Sequence, residues 1–295
     1  MINDQAEKLR MRISQEKDTI QTAPIIGIAS GKGGVGKSVF CVNFALALGE
    51  LGKKVLIIDL DIGMGNIEQI IGRNANTNIV DAIKSEWPFQ QVQVGVTPNF
   101  SFIAGGSGLS NLFHMNQNYL TFFVEQLELV KRQFDFILFD FGAGASEDML
   151  HFMLAVNRLI LITTPEPPAM ADSYSLMKMV YGLKKDLEIS CVVNQIFNRR
   201  EGMDSWQRLS SVAERFLGNS PTWLASLPKD HNLLMSVREQ VPCMLSRPRA
   251  HYCVNMRLLA RSFLVQCIGQ AEHKKTGSFT DKVRTYFGLL RRNER

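Results

Sequence analysis

Between Ser30 and Ser38 the chain reads SGKGGVGKS, and these residue types at this spacing suit the cradling of a phosphate chain. Gly31 to Ser38 satisfies G-x-x-x-x-G-K-[ST]. In that pattern Gly33, Gly34, Val35 and Gly36 let backbone N–H groups close around phosphate oxygens. Lys37 reaches the β and γ oxygens, and the Ser38 hydroxyl can hold magnesium at a helix N-terminus, with Val39 in the same first turn. One lysine suffices for this work, so Lys32 is surplus to it. Two carboxylates, Asp59 and Asp61, end the apolar run VLIIDLD; two apart, they share one face of an extended segment. Such a pair beside a γ-phosphate suits coordination of a metal ion and orientation of an attacking water. A second apolar run, FDFILFD, ends in Asp140, a carboxylate of the kind that holds magnesium through its hydration shell. Gly142 and Gly144 follow, as a loop that shifts on loss of a γ-phosphate needs. The plainer readings are strand-end aspartates capping the next helix, a structural aspartate at 140 and a solvated lysine at 32.

The elements that must hold these groups are legible as short apolar runs bounded by glycine or proline. They are PIIGIAS, KKVLIIDLD, NFSFIAGG, FDFILFDF, NRLILITTPE, EISCVVNQI and PTWLASLP. Consecutive apolar positions imply strands covered on both faces, hence a mostly parallel sheet. Between them the spacing predicts helices over Lys37 to Leu51, Asn118 to Gln133, Asp172 to Leu183 and Ser205 to Leu217. Strand and helix in alternation mean an α/β fold, a mostly parallel sheet with helices on both faces. Ligands in such sheets lie beyond the carboxyl ends of the strands, where the lysines and carboxylates above fall.

The form K-G-G-x-G-K-S resembles the deviant Walker A motif of the MinD/ParA group of P-loop ATPases. The resemblance implies ATP and Mg2+ as ligands and an ATP-dependent homodimer in which Lys32 reaches the partner's phosphates, stabilising charge on the γ-phosphate. On the family pattern D-x-D-x-G-x-x-N, Asp61 positions the attacking water, Asp59 sits near magnesium and Asn66 belongs to the first switch. The family's D-x-P-A-G has Gly142 here in place of proline, which points away from MinD proper. Asn194, ending CVVN, matches an asparagine that contacts adenine, and its amide can both accept from and donate to that edge; an ordinary turn asparagine is the alternative.

The two ends are unlike the body. Ile2, Ala6, Leu9 and Ile13 fall at helical spacing ahead of a polar stretch over 14–23, with Asp4 and Glu7 as a capping pair. DQAEKLR resembles the N-terminal segment of the FlhG (YlxH or FleN) family of MinD-like ATPases, which govern flagellar number and placement. That likeness implies that Asp4, Gln5, Ala6, Leu9 and Arg10 meet and stimulate FlhF, an SRP-type GTPase, and that flagellar C-ring proteins are further partners. An idle tail is the alternative. Residues 271–295 carry seven basic residues against three acidic, a net of +4 within a chain total of +5. Phe279, Val283, Phe287 and Leu290, with Tyr286 beside them, form an apolar stripe among those cations. An amphipathic helix of this kind can lie at an anionic lipid surface, or pack on its own domain. The expected division is therefore 1–23 partner segment, 24–271 ATPase domain and 272–295 membrane-targeting helix.

Composition sets the outer bounds. The 295 residues are 45% hydrophobic and 21% charged, as in an ordinary globular protein. The first residues have no apolar signal core and no run approaches a bilayer's thickness, so the chain is expected in the cytoplasm, reversibly peripheral on the inner face of the cell membrane. The five scattered cysteines, never C-x-x-C, read as reduced structural thiols rather than zinc or disulfide frameworks. A DNA-partitioning ATPase of the ParA type is the main rival; the near-neutral body argues against the basic face that DNA binding needs. An iron–sulphur carrier of the same fold class would need paired cysteines.

Overall fold

The computed structural model describes residues 22–61, 66–106, 117–144 and 147–271, together with Phe279, Lys282, Val283, Thr285 and Tyr286. The strands are β1 (Ile25–Ser30), β2 (Val55–Leu60), β3 (Gln93–Thr97), β4 (Phe100–Ile103), β5 (Phe136–Ala143), β6 (Arg158–Thr163), β7 (Ile189–Ile196) and β8 (Thr222–Pro228). They form one sheet in the order β3-β4-β2-β5-β1-β6-β7-β8. Every pairing is parallel except β3 against β4. Seven of these strands are the seven apolar runs. The eighth, β3, has the sequence QVGVT and is half-exposed along its length. It is an edge strand carried by β4 alone, so it lacks the continuous apolar run of a covered strand.

The helices are α1 (Lys37–Glu50), α2 (Asn66–Ile71), α3 (Ile79–Lys84), α4 (Phe89–Val92), α5 (Gln117–Val130), α6 (Glu147–Ala155), α7 (Pro167–Leu183), α8 (Arg199–Leu217), α9 (His231–Arg238), α10 (Cys243–Ser246) and α11 (His251–Ala271). Helix α7 starts earlier than its spacing suggests because Pro167 opens it; proline is suited to a first helical position, where its missing N–H is no loss. Helix α8 also starts earlier, at a cap in which the Asn198 Oδ1 accepts from the Glu201 N–H at 2.9 Å. The long α11 has no clear periodic signature, since it packs on both α1 and β8.

Side chains alternate through the sheet into two apolar layers. Ile137, Phe139 and Phe141 of β5 face a layer built with α3 to α8, whereas Phe136 and Leu138 face one built with α1, α2, α10 and α11. α11 and the terminal segment lie on opposite faces. Phe263 of α11 packs on Phe136 and Phe44, while Phe279 meets Phe139 edge-on at 5.6 Å between ring centroids. Phe279 is 2% and Val283 0% exposed, and Tyr286 is half-buried beside His151. The described part of the stripe expected to meet lipid, Phe279, Val283 and Tyr286, is thus turned towards the domain's own core. Apolar area leaves water equally well against phenylalanine rings or against acyl chains, and here the rings are nearer. A lipid contact by these residues requires the segment to come off. Phe287 and Leu290 lie outside the described residues, as do Asp4, Gln5, Ala6, Leu9 and Arg10.

Candidate functional site

The loop between β1 and α1 lies at the carboxyl edge of the central strands. Gly36, at φ 87°, stands at the head of α1, and no side chain caps that helix. Its first-turn N–H groups are therefore free of an internal acceptor, the arrangement that receives an anion. On the outer side Gly31 lies so close to α7 that a Cβ there would sit 2.2 Å from the Asp172 carbonyl carbon, so no larger residue fits. Above the loop is a cleft of about 400 Å3. Gly33, Gly34, Gly36, Lys37, Ser38 and Val39 line it, with Asp61 across from them. Val35 is buried beneath.

Lys37 and Asp140 form a buried ion pair, Nζ to Oδ1 2.6 Å, at 7% and 0% side-chain exposure. Burial lowers the Lys37 pKa, but the charge and hydrogen bond of Asp140 outweigh it, and the lysine is held above its ordinary value. The lysine that the loop pattern assigns to phosphates thus rests on the carboxylate assigned to magnesium. Asp59 sits directly across the β2–β5 register from Asp140. Its Oδ1 accepts from the Asp61 N–H at 2.9 Å. Burial, then the neighbouring Asp140 charge, push the Asp59 carboxyl up to about 8. Oδ2 of both Asp59 and Asp140 is buried with no hydrogen-bond partner among the described residues.

These orphaned oxygens, with Ser38 beside Lys37 Nζ at 3.3 Å, are the donor set a hard divalent cation takes. Among the described residues no cluster of three histidine, cysteine or acidic side chains could hold a metal unaided. A magnesium ion fits on condition that phosphate oxygens complete its shell, as they do in nucleotide sites. Asp61 stands beside Gly142: a Cβ added there would lie 3.3 Å from the Asp61 Oδ1. The Gly144 N–H donates to the Ser30 carbonyl at 2.9 Å, tying the turn after β5 to the phosphate loop. Asn66 opens α2 just beyond Asp61.

Lys32 is exposed. Asn194 does not line the cleft. Its Nδ2 donates to the Val35 carbonyl at 2.8 Å, and its Oδ1 is buried without a partner among the described residues. The cleft also draws on Gln69 and Ile70 of α2, which no motif contains, and on Val237 and Gln240 of LPKDHNLLMSVREQVP, the stretch whose likeness to the family's I-P-x-D segment implies a place beside the base. Gln195, beside Asn194, reaches the Gly34 carbonyl at 3.4 Å. Glutamine gives no spacing signal of its own, so only the fold brings Gln69 and Gln195 forward. The five cysteines are free thiols, four of them buried. No helix among the described residues is long and apolar enough to cross a membrane.

Comparison with known proteins agrees with this geometry. The family model ParA, described as NUBPL iron-transfer P-loop NTPase, matches residues 21–260. The flagellum site-determining protein YlxH of Helicobacter pylori is 32% identical over 246 residues, 81% of this chain and 83% of that one. The antiactivator FleN of Pseudomonas aeruginosa is 23% identical over 247 residues, 84% of this chain and 88% of that one. Among solved structures, the septum site-determining protein MinD of Pyrococcus horikoshii, complexed with Mg-ADP, superposes with a TM-score of 0.67 at 25% identity. That match covers 85% of this chain and 99% of the other.

Proposed function

Because this chain belongs to the ParA family of P-loop NTPases, we propose that it is an FlhG-type, MinD-like ATPase acting in flagellar placement. The observation that carries the reading is the buried Lys37–Asp140 pair under an uncapped helix N-terminus, with two carboxylate oxygens left unmatched beside it. Charges buried in this way cost stability unless something fills their remaining valences. A triphosphate with magnesium would do so: Lys37 would hold the phosphates, and Ser38, Asp59 and Asp140 would hold the cation. Magnesium would supply positive charge against the β and γ oxygens. Asp61 holds the attacking water, and Lys32, exposed on the monomer, reaches the phosphates of a second copy. Asn194 Oδ1 is the acceptor kept for adenine.

In this reading ATP closes the homodimer, and the terminal segment leaves its place against Phe139 for anionic lipid, where two copies bind together better than one. Residues 4–10 engage an FlhF-type GTPase, and C-ring proteins are the further partners. Those assignments rest on likeness to the FlhG family. The iron-transfer role in the family model's description is not carried over, since this sequence has no C-x-x-C pair.

Sedimentation with anionic liposomes tests the cycle. ATP should carry the protein into the pellet and ADP should leave it in solution. Asp61→Ala should lower hydrolysis by about 10²- to 10⁴-fold, the range for losing a group that handles the reacting proton, and hold the protein on liposomes with ATP. Partition independent of nucleotide would remove the membrane cycle, and undiminished hydrolysis would remove the role of Asp61.

A further inference from the structure

A phosphate loop can aim its N–H groups inward only if its carbonyls point outward, and each outward carbonyl needs a donor. Three side chains supply them. Ser30 Oγ donates to the Lys32 carbonyl at 3.0 Å, Asn194 Nδ2 to that of Val35 at 2.8 Å, and Gln195 Nε2 to that of Gly34 at 3.4 Å. The last two are consecutive residues of β7. Consecutive strand residues ordinarily point to opposite faces of a sheet, so both amides could not reach one loop from a regular strand. Gln195 has φ 59°, a left-handed backbone that a side-chain-bearing residue rarely adopts. The pairing of β7 with β8 shifts register between Val193 and Ile196, around that residue. This kink brings the second amide to the same side as the first. A Cβ placed on Gly36 would lie 2.7 Å from Asn194 Nδ2 and 3.8 Å from Gln195 Nε2, which locates both against one stretch of loop.

We propose that Gln195 is a positioning residue for nucleotide binding: its left-handed backbone turns its amide onto the Gly34 carbonyl and, with Asn194, holds two successive loop peptides with their N–H groups towards the phosphates. Backbone strain of this kind persists where the surroundings over-determine it, often at functional sites. The inference deepens the nucleotide-binding reading above and rests on it.

Two variants separate the amide from the backbone. Gln195→Gly relieves the left-handed conformation and removes the donor; Gln195→Met keeps the length and the conformation and removes only the donor. The measurements are the ligand-free melting temperature and the dissociation constant for ADP, with KM and kcat for ATP. Gln195→Gly should melt higher than the parent, and Gln195→Met at the same temperature. Both should bind ADP about fivefold more weakly, the size of one neutral hydrogen bond, with KM for ATP rising in step and kcat within about twofold. Opposite movement of stability and affinity is what a merely structural brace would not give. Affinities within twofold of the parent in both variants, an effect confined to Gln195→Gly, or a Gln195→Gly variant that melts lower would each overturn the proposal. A parent protein that binds no ADP would instead overturn the nucleotide-binding reading itself.

Discussion

The phosphate-loop end of the sheet and the groove that holds Phe279 and Val283 both read as binding surfaces in the sequence, yet they are buried in opposite senses. At the loop, three buried polar atoms have no partner among the described residues: Asp59 Oδ2, Asp140 Oδ2 and Asn194 Oδ1. In the groove, Phe279 already sits edge-on to Phe139, and Val283 is covered completely. Unmatched polar atoms carry an energetic penalty that a specific ligand removes. A covered apolar stripe lacks nothing, so whatever it binds next must first compete with the domain itself. The loop has valences left for a ligand; the groove is already filled.

The sharpest way to break that contrast uses two phenylalanines in one apolar layer. Phe152 of α6 is fully buried beside Phe123, with ring centroids 5.6 Å apart. Phe152→Ala should lower unfolding stability by about 3–5 kcal/mol, as core truncations of this size do. Phe279 is nearly as buried, but on the membrane reading proposed above its segment comes off while the body stays folded. Phe279→Ala can then cost no more than the docking free energy, about 2 kcal/mol or less given the few side chains involved. Urea denaturation with chymotrypsin digestion reads both, and Phe279→Ala should be nicked within 272–295 before the body unfolds. Equal losses in a single cooperative transition would make the segment an integral part of the core, and the two regions would no longer differ in kind.

A smaller effect probes the loop side alone. Folding raises the Asp59 carboxyl from 3.8 to about 8, so between those values the folded chain keeps a proton that the unfolded chain gives up. Stability of the ligand-free protein should therefore be greatest at the acid end of that window and fall as pH rises towards 8. Asp59→Asn carries no such proton, so its melting temperature should vary less over the same range and exceed the parent's near pH 8. Parallel profiles for the two proteins would show that Asp59 is ionised in the folded state, and the strain assigned to the carboxylate pair would be gone.

What the sequence disclosed follows the same division. Lys37, Ser38, Asp59, Asp61 and Asp140 are legible because phosphate and cation chemistry demands fixed residue types at fixed spacings, and the apolar runs that carry them are covered on both faces. Strand β3 is not legible, for its half-exposed QVGVT lacks a run. Gln195 reaches the loop through a left-handed backbone within β7, at φ 59°, and Gln240 lines the cleft from one after α9, at φ 54°. Nothing local in the residue type encodes that. The stripe from Phe279 to Tyr286 is visible as a stripe, but spacing alone is silent on whether its apolar neighbour is lipid or Phe139. Hydrophobic burial has no directionality, so its partner is decided by tertiary structure.

Lys282 gives the finest measure of how firmly the groove holds. Its ammonium is half-buried, and burial first, then the charge of Lys184, with Lys131 adding and Asp186 opposing, push it down to about 8. A lysine released into solvent keeps its proton to about 10.4. Between those values the undocked segment binds more protons than the docked one, so docking should tighten as pH rises from about 8 to 10. At neutral pH the charged Lys282 works against the groove. Lys282→Met keeps the aliphatic reach and removes the charge, and with exposure on this scale the gain should be under about 1 kcal/mol. Chymotryptic cleavage of the terminal segment should be slower in the variant than in the parent at pH 7.5, and the difference should shrink by pH 9.5. Faster cleavage of Lys282→Met at both pH values would mean that Asp186 outweighs Lys184 and Lys131. The segment would then be held by charge as well as by Phe279 and Val283, and its release would need more than a competing apolar surface.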